Sequence, residues 1–498
     1  MKTSTYGGRS QLGQLRFEGV ANRGGEPFWR LHYDVDHEGA ATQAELRPLP
    51  IKIGDRLLHF VRCALPYLAA VVQYAVNGSF TQSGLYGDLA DPVRMPHGAP
   101  LLAVYWRLLG VYTAVFSLRM TSIDRDRTSP VLEERLMDLT SMLIGWDWRS
   151  AVGTGRTEDV TSPYDDSIVG TVPVAGRDDA EAALTAADAG AVRWRRTPAH
   201  ERMKILRRAA ELADERAGDI AKIISSEAGK TITEATGEAS RSGEIIRLAA
   251  FEGTQLYGDT LPLDANPGTG LDKIGFTLRQ PCGVVVAISP FNYPALLVLH
   301  KLAPALAGGN AVVLKPARTT PLTALALAAC FVDAGLPEGV LSVLTGPGSE
   351  LGDLLVSDPR VRKISFTGST ATGERITRMA GVKKLSLELG ASCPVIIMPD
   401  ADLELASSAV AAGGYVNAGQ VCISVQRVIA HPAVSSDFLD ALVPKVEAIR
   451  VGDPSSPDTV MGTLITTSEA ERVRQSIAAA AAAGARVLTG GERDGSMV

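Results

Sequence analysis

The chain has 498 residues, 46% of them hydrophobic, with a formal net charge of -6 and a pI near 5.8. That length and apolar content suffice for about three domains. The mixed acids and bases, without a basic run, argue against nucleic acid or an anionic membrane as the main partner and leave a small metabolite as the default. The five cysteines, Cys63, Cys282, Cys330, Cys393 and Cys422, are odd in number and contain no CxxC pair. Neither a disulfide framework nor a zinc site is indicated, so no metal is expected. A reducing cytoplasm fits this cysteine usage, and the opening MKTSTYGGRSQLGQLRFEG has no apolar core of a secretory signal.

Residues 1–150 differ in texture from the rest. Apolar stretches at Leu57 to Val76 and Leu101 to Leu118 read as helices around a Gly/Pro/Asp-rich loop, and the region is left unassigned. The second stretch nears the roughly 20 apolar residues a bilayer span takes, but Arg107 sits in its middle at a cost of about 2.5 to 3.5 kcal/mol. His59, Arg62 and Pro66 interrupt the first, so soluble or partner-packed helices are preferred over membrane association. From Asp178 to about Gly258 the chain is rich in Ala, Glu and Arg, with Met203, Leu206, Ala210 and Ala213 at helical spacing. From Cys282 short apolar runs alternate with helical segments: CGVVVAIS, AVVLKP, GVLSVLT, VRKISFTG and KLSLEL. This α/β alternation predicts a Rossmann-like parallel sheet wrapped by helices, with nucleotides bound at the carboxyl ends of its strands. The expected domains are 151–388 for the cofactor and 389–498 for catalysis.

The candidate chemistry lies at the strand ends. The first strand ends in Pro290-Phe291-Asn292-Tyr293-Pro294, where the Asn292 amide either donates to developing negative charge or simply caps a turn. Lys315 ends the next strand, as a cation facing the ligand crevice or as a solvated lysine. The loops containing Gly346, Gly348 and Gly352, and Phe366, Gly368, Ser369 and Gly373, follow successive strands. Their backbone N–H groups suit a pyrophosphate, with simple tight turns as the alternative. Glu388 closes the last strand and Cys422 follows in NAGQVC. Taken alone, each reads as readily as a solvated acid and a small buried thiol.

PFNYP, LKPA, FTGSTATG, LELGA and NAGQVC, in this order and spacing, resemble the aldehyde dehydrogenase superfamily over about Asp159 to Val498. The resemblance implies NAD(P)-dependent oxidation of a small aldehyde to a carboxylic acid. Cys422 is then the nucleophile that forms a thiohemiacetal, with the oxyanion held by Asn292 and the backbone N–H of Cys422. Collapse passes hydride to the nicotinamide and leaves a thioester, which Glu388 hydrolyses as general base. Cofactor contacts carry over to Ser289, Pro290, Phe291, Lys315, Gly348, Gly352, Phe366, Gly368, Ser369, Gly373 and Leu389. The cofactor is NAD or NADP. Arg318 stands where NAD-preferring members often carry Glu, and a guanidinium there would pair with a 2′-phosphate and favour NADP, unless it faces outward.

The segment near 272–281 resembles part of the family's oligomerisation arm, which implies a homo-oligomer. CISVQR and HKLAPALAGGN resemble subgroups acting on hydroxylated or acidic aldehydes such as lactaldehyde or phosphonoacetaldehyde. Two departures stand out: Ala391 replaces a common glycine, and no E-x-F-G-P-type motif occurs between Cys422 and Val498. A truncated catalytic domain is therefore expected. The alternative to an active enzyme is a catalytically impaired homologue that only binds nucleotide or a partner.

Overall fold

Short runs of β-branched residues bounded by glycine and proline favour buried strands. Val284–Ile288 (β10), Ala311–Lys315 (β11), Leu341–Val343 (β12), Val361–Thr367 (β13) and Lys384–Glu388 (β14) form in the five segments expected. In the computed structural model, residues 9–10, 13–21, 27–34, 141–152 and 155–498 are described. Two compact units divide the chain, Met1–Arg125 and Asp126–Val498. In the first, Arg9–Ser10 (β1), Gly13–Ala21 (β2) and Pro27–Asp34 (β3) form an antiparallel sheet. The apolar stretches at 57–76 and 101–118, and Cys63, lie outside the described residues.

The second unit is built on a seven-stranded sheet of order β14-β13-β10-β11-β12-β4-β5, where β4 is Met142–Ile144 and β5 is Asp147–Arg149. The first five strands run parallel, while β4 and β5 add antiparallel at the far edge. A domain boundary at residue 150 therefore cuts the sheet and is corrected. The hairpin is too short for an alternating pattern to show, and its pairing with Val343 is a long-range choice. Chain order reverses beside β10, which has β11 on one side and β13 on the other, so the switch-point crevice lies at their carboxyl ends.

Helices cover both faces. Arg177–Trp194 (α1), Gly348–Ser357 (α8) and Thr370–Ala380 (α9) bury Leu184, Leu351, Leu355 and Ile376 against Val284, Val286, Val313 and Ile364. The opposite face meets Ala199–Glu215 (α2), Ala217–Ala228 (α3), Ile232–Ala239 (α4), Ser242–Glu252 (α5), Leu296–Ala307 (α6) and Leu322–Asp333 (α7). There Val285, Ala287, Val312 and Leu314 pack on Leu206, Leu299 and Phe331, as strand alternation requires. The hairpin Thr157–Thr161 (β6) and Ile168–Pro173 (β7) precedes α1.

A second hairpin, Thr260–Leu261 (β8) with Gly275–Phe276 (β9), carries the exposed apolar side chains Leu271, Ile274, Phe276 and Leu278. Beyond β14 the chain forms a parallel pair, Cys393–Ile397 (β15) with Val425–Ala430 (β16), packed by Leu403–Tyr415 (α10) and Ser435–Glu447 (α11) around Ile397, Val410 and Phe438. Thr467–Ala482 (α12) follows. Among the described residues no helix is long and apolar enough to cross a membrane.

Candidate active site

The loop after β10 and the loop before β16 meet through Asn292. Its Nδ2 donates to the Gln420 carbonyl at 2.7 Å, and the Asn417 amide donates back to the Asn292 carbonyl at 3.2 Å. The Asn292 Oδ1 is buried without a hydrogen-bond partner. One N–H of this amide is thus spent on the turn that presents Cys422, and the group has a second hydrogen for a ligand oxygen. Cys422 is exposed in the turn that follows, and its carbonyl accepts the Cys393 thiol at 3.2 Å. Cys330, by contrast, lies in the core, where burial pushes its thiol up to about 11. It is inert at neutral pH.

The turn is strained. Asn417 (φ 50°) and Ala418 (φ 53°) are successive left-handed residues, a conformation costing roughly 1–2 kcal/mol per non-glycine residue. Gln420 braces it from the far side: its amide donates to the Asn417 and Thr463 carbonyls, and its Oε1 accepts Ile465 N–H at 2.9 Å. The Asn417 N–H donates to Glu234 Oε1 at 2.8 Å.

Buried glutamates also fix the loop of Asn292. Glu238 Oε1 accepts the N–H groups of Ala295 and Leu296 at the start of α6, and its Oε2 accepts the Lys230 ammonium at 2.6 Å, both side chains being 1% exposed. Lys230 also lies over the Tyr293 ring, 3.6 Å from its centroid. Glu227 caps α7 in the same way through Leu322 and Thr323, and burial raises its carboxyl to about 7. A carboxylate at a helix N-terminus satisfies open N–H groups and complements the helix dipole. These four residues went unrecognised in the helical run from Asp178. Glu227, Lys230, Glu234 and Glu238 recur at three-to-four spacing in the sequence, although the chain breaks at Gly229 between α3 and α4, and such a stripe reads as solvated because charge is rarely buried.

Glu388 ends β14 exposed, in register with Thr367. Thr367 Oγ1 accepts the Lys301 ammonium at 2.7 Å; burial lowers Lys301 to about 8 against the attraction of Glu388.

On the other side of the crevice, the Ser289 hydroxyl is buried and unpartnered, and the Lys315 ammonium is buried with the Pro316 carbonyl 2.8 Å away. A Cβ added to Gly348 would lie 3.8 Å from Lys315 Cε, so this lysine faces the first turn of α8. That helix has no side-chain N-cap, whereas α9 is capped by Ser369, which accepts Thr372 N–H. Gly352 lies one turn inside α8 rather than in the loop. Gly373 permits close packing: a Cβ there would fall 2.5 Å from Leu389. Phe366 is buried under the second glycine loop, whose Gly368 abuts its ring. A cation, an orphaned hydroxyl and an uncapped helix start, set at or after the carboxyl ends of β11, β10 and β12, fit a dinucleotide phosphate. Arg318 is exposed, with its Nε on Glu158 of β6.

The family model described as "Aldehyde dehydrogenase family" matches residues 148–498. The chain belongs to the aldehyde dehydrogenase family. It is similar to a 3-sulfolactaldehyde dehydrogenase of Priestia aryabhattai, at 40% identity over 71% of this chain and 73% of that protein. It is equally similar to the succinate-semialdehyde dehydrogenase [NADP(+)] of Escherichia coli, at 40% identity over 70% and 72%. A crystal structure of an NADP-dependent glyceraldehyde-3-phosphate dehydrogenase from Bacillus halodurans, complexed with NADP, superposes with a TM-score of 0.70 at 36% identity, covering 72% of this chain and 75% of that one. The enzyme is accordingly an oxidoreductase acting on aldehydes, and NAD or NADP is its cofactor class.

Proposed function

We propose that this enzyme oxidises an anionic aldehyde to the carboxylic acid, with Cys422 as nucleophile, Asn292 as oxyanion donor and Glu388 as general base. The observation that carries the reading is the Asn292–Gln420 hydrogen bond, which joins the β10 loop to the turn of Cys422. The Cys422 thiolate adds to the aldehyde carbonyl, and the free N–H of Asn292 donates to the resulting oxygen. The dinucleotide, when bound, supplies the two-electron acceptor. Glu388 then takes a proton from the water that attacks the Cys422 thioester, releasing acid and thiol. Lys315, the α8 N-terminus, Ser369 and Arg318 hold the phosphates and ribose, with the seven-stranded sheet and its helices, β4 and β5 included, as cofactor domain and 389–498 as catalytic domain. An anionic substrate agrees with Arg241, whose charge reaches Tyr293 in the Asn292 loop, and with the acidic substrates for which the relatives above are named. A homo-oligomer is proposed through the exposed apolar β8–β9 arm.

The test is formation of reduced nucleotide at 340 nm with sulfolactaldehyde or succinate semialdehyde and either NAD or NADP. Dinucleotide binding with no reduction for any aldehyde would sink the catalytic reading and leave a nucleotide-binding homologue.

Two further outcomes follow from the cofactor side. Burial lowers the Lys315 ammonium to about 8, Arg318 lowering it further and Glu158 acting against both. The lysine is charged below that pH and neutral above it. Raising pH from 7 to 9 should weaken dinucleotide binding by about tenfold, the worth of one hydrogen bond to a charged group. Fluorescence titration checks this, and the step should vanish in Lys315→Met. Glu158→Gln should release Arg318 and remove a carboxylate that repels a 2′-phosphate. The KM for NADP should then fall about twofold to fivefold, as expected for a partly exposed pair, with little change for NAD. Equal shifts for both cofactors would place Arg318 away from the 2′ position.

A further inference from the structure

The turn that presents Cys422 holds Asn417 and Ala418 in a backbone conformation that neither side chain favours. Its neighbours on the catalytic side are Asn292 and Gln420, but a third support comes from a different layer. Glu234 stands in the first turn of α4, where Thr231 caps the helix by accepting its N–H. Its Oε1 accepts the Asn417 N–H at 2.8 Å, while its Oε2 is buried with no hydrogen-bond partner. The side chain therefore makes one protein hydrogen bond, and it ends on the left-handed turn. One helical turn further, Glu238 holds the start of α6 below Asn292. The short helix α4 thus reaches both loops of the site with successive acidic residues.

We propose that Glu234 is a positioning residue for the reaction: its carboxylate pins the Asn417 amide and so keeps the turn that aims the Gln420 carbonyl at Asn292 and presents Cys422. It touches neither substrate nor cofactor. The inference rests on the reading of Cys422 as nucleophile. A carboxylate gives the stronger, charge-assisted bond to an amide, and a strained turn persists only where its surroundings over-determine it. Without Glu234 the turn relaxes and the thiol moves off its line of attack, and misplacements of about 1 Å cost on the order of a hundredfold.

Two readouts separate this from general structural support: aldehyde turnover, and the rate at which iodoacetamide alkylates the Cys422-containing peptide, followed by mass spectrometry. Glu234→Ala should lower kcat by about thirtyfold, change the alkylation rate at least about threefold, and leave the KM for the dinucleotide unchanged, as expected for a displaced nucleophile. Glu234→Gln keeps an acceptor and should stay within about fivefold of the parent. Ala418→Gly removes much of the left-handed penalty and should restore part of the loss in the Glu234→Ala background. Turnover and alkylation both within about twofold of the parent in Glu234→Ala overturn the proposal. So does a loss beyond about fivefold in Glu234→Gln, which also decides the matter if the alanine variant does not fold. Should Cys422→Ala keep its turnover, the nucleophile reading fails, while the alkylation rate still reports whether Glu234 holds the turn.

Discussion

Cys422→Ala should lose aldehyde oxidation by about 10⁴-fold or more, as removal of a covalent nucleophile does elsewhere, while dinucleotide binding stays at the parental level. Binding should survive because Lys315 and the starts of α8 and α9 belong to other elements than the turn of Cys422. The measurement pairs the 340 nm assay with fluorescence titration of the dinucleotide on the same preparation. Cys393 is the control thiol: it donates to the Cys422 carbonyl and shares the turn's surroundings. Cys393→Ala should reduce turnover modestly, by less than about tenfold, since a neutral hydrogen bond is worth about 1 kcal/mol. If Cys422→Ala retained a tenth of the activity and Cys393→Ala abolished it, the nucleophile would have to be reassigned to Cys393.

How far this site was legible depended on how local its signals are. The strands from Val284 and Ala311 could be read because parallel strands buried on both faces need continuous apolar runs. Lys315, Phe366 and Glu388 then fell at strand ends without further information. Asn292 and Cys422 could be named, but not the hydrogen bond from Asn292 to Gln420, because it joins loops on separate elements. Arg318 was read for its charge alone; its partner Glu158 lies far off in the chain on β6. The strands β4 and β5 were missed for a similar reason, since they are defined by pairing with Val343 rather than by their own pattern. The charged stripe from Glu227 to Glu238 was the least legible. Its burial depends on open N–H groups of two other helices, and no residue within the stripe encodes those partners.

That stripe carries the second large effect. Lys230→Met should destabilise the second unit by about 3–5 kcal/mol, the usual consequence of removing one partner from a buried ion pair. The Lys230 ammonium is 2.6 Å from Glu238 and both side chains are 1% exposed, so solvent cannot replace it. The same substitution takes the cation from the face of Tyr293. Glu238 would keep the Ala295 and Leu296 N–H groups, which offset part of its buried charge. Glu238→Gln in the Lys230→Met background should therefore recover stability: it removes the unpaired charge while an amide oxygen still caps α6. Urea unfolding followed by tryptophan fluorescence reads both variants, because Trp194 is fully buried and bonded to the Leu306 carbonyl at the other end of α6. A loss under about 1 kcal/mol in Lys230→Met would mean that the pair is not desolvated as described. The expected loss should be accompanied by lower turnover at temperatures below the transition, because Lys230 also holds the ring of Tyr293, the residue next to Asn292.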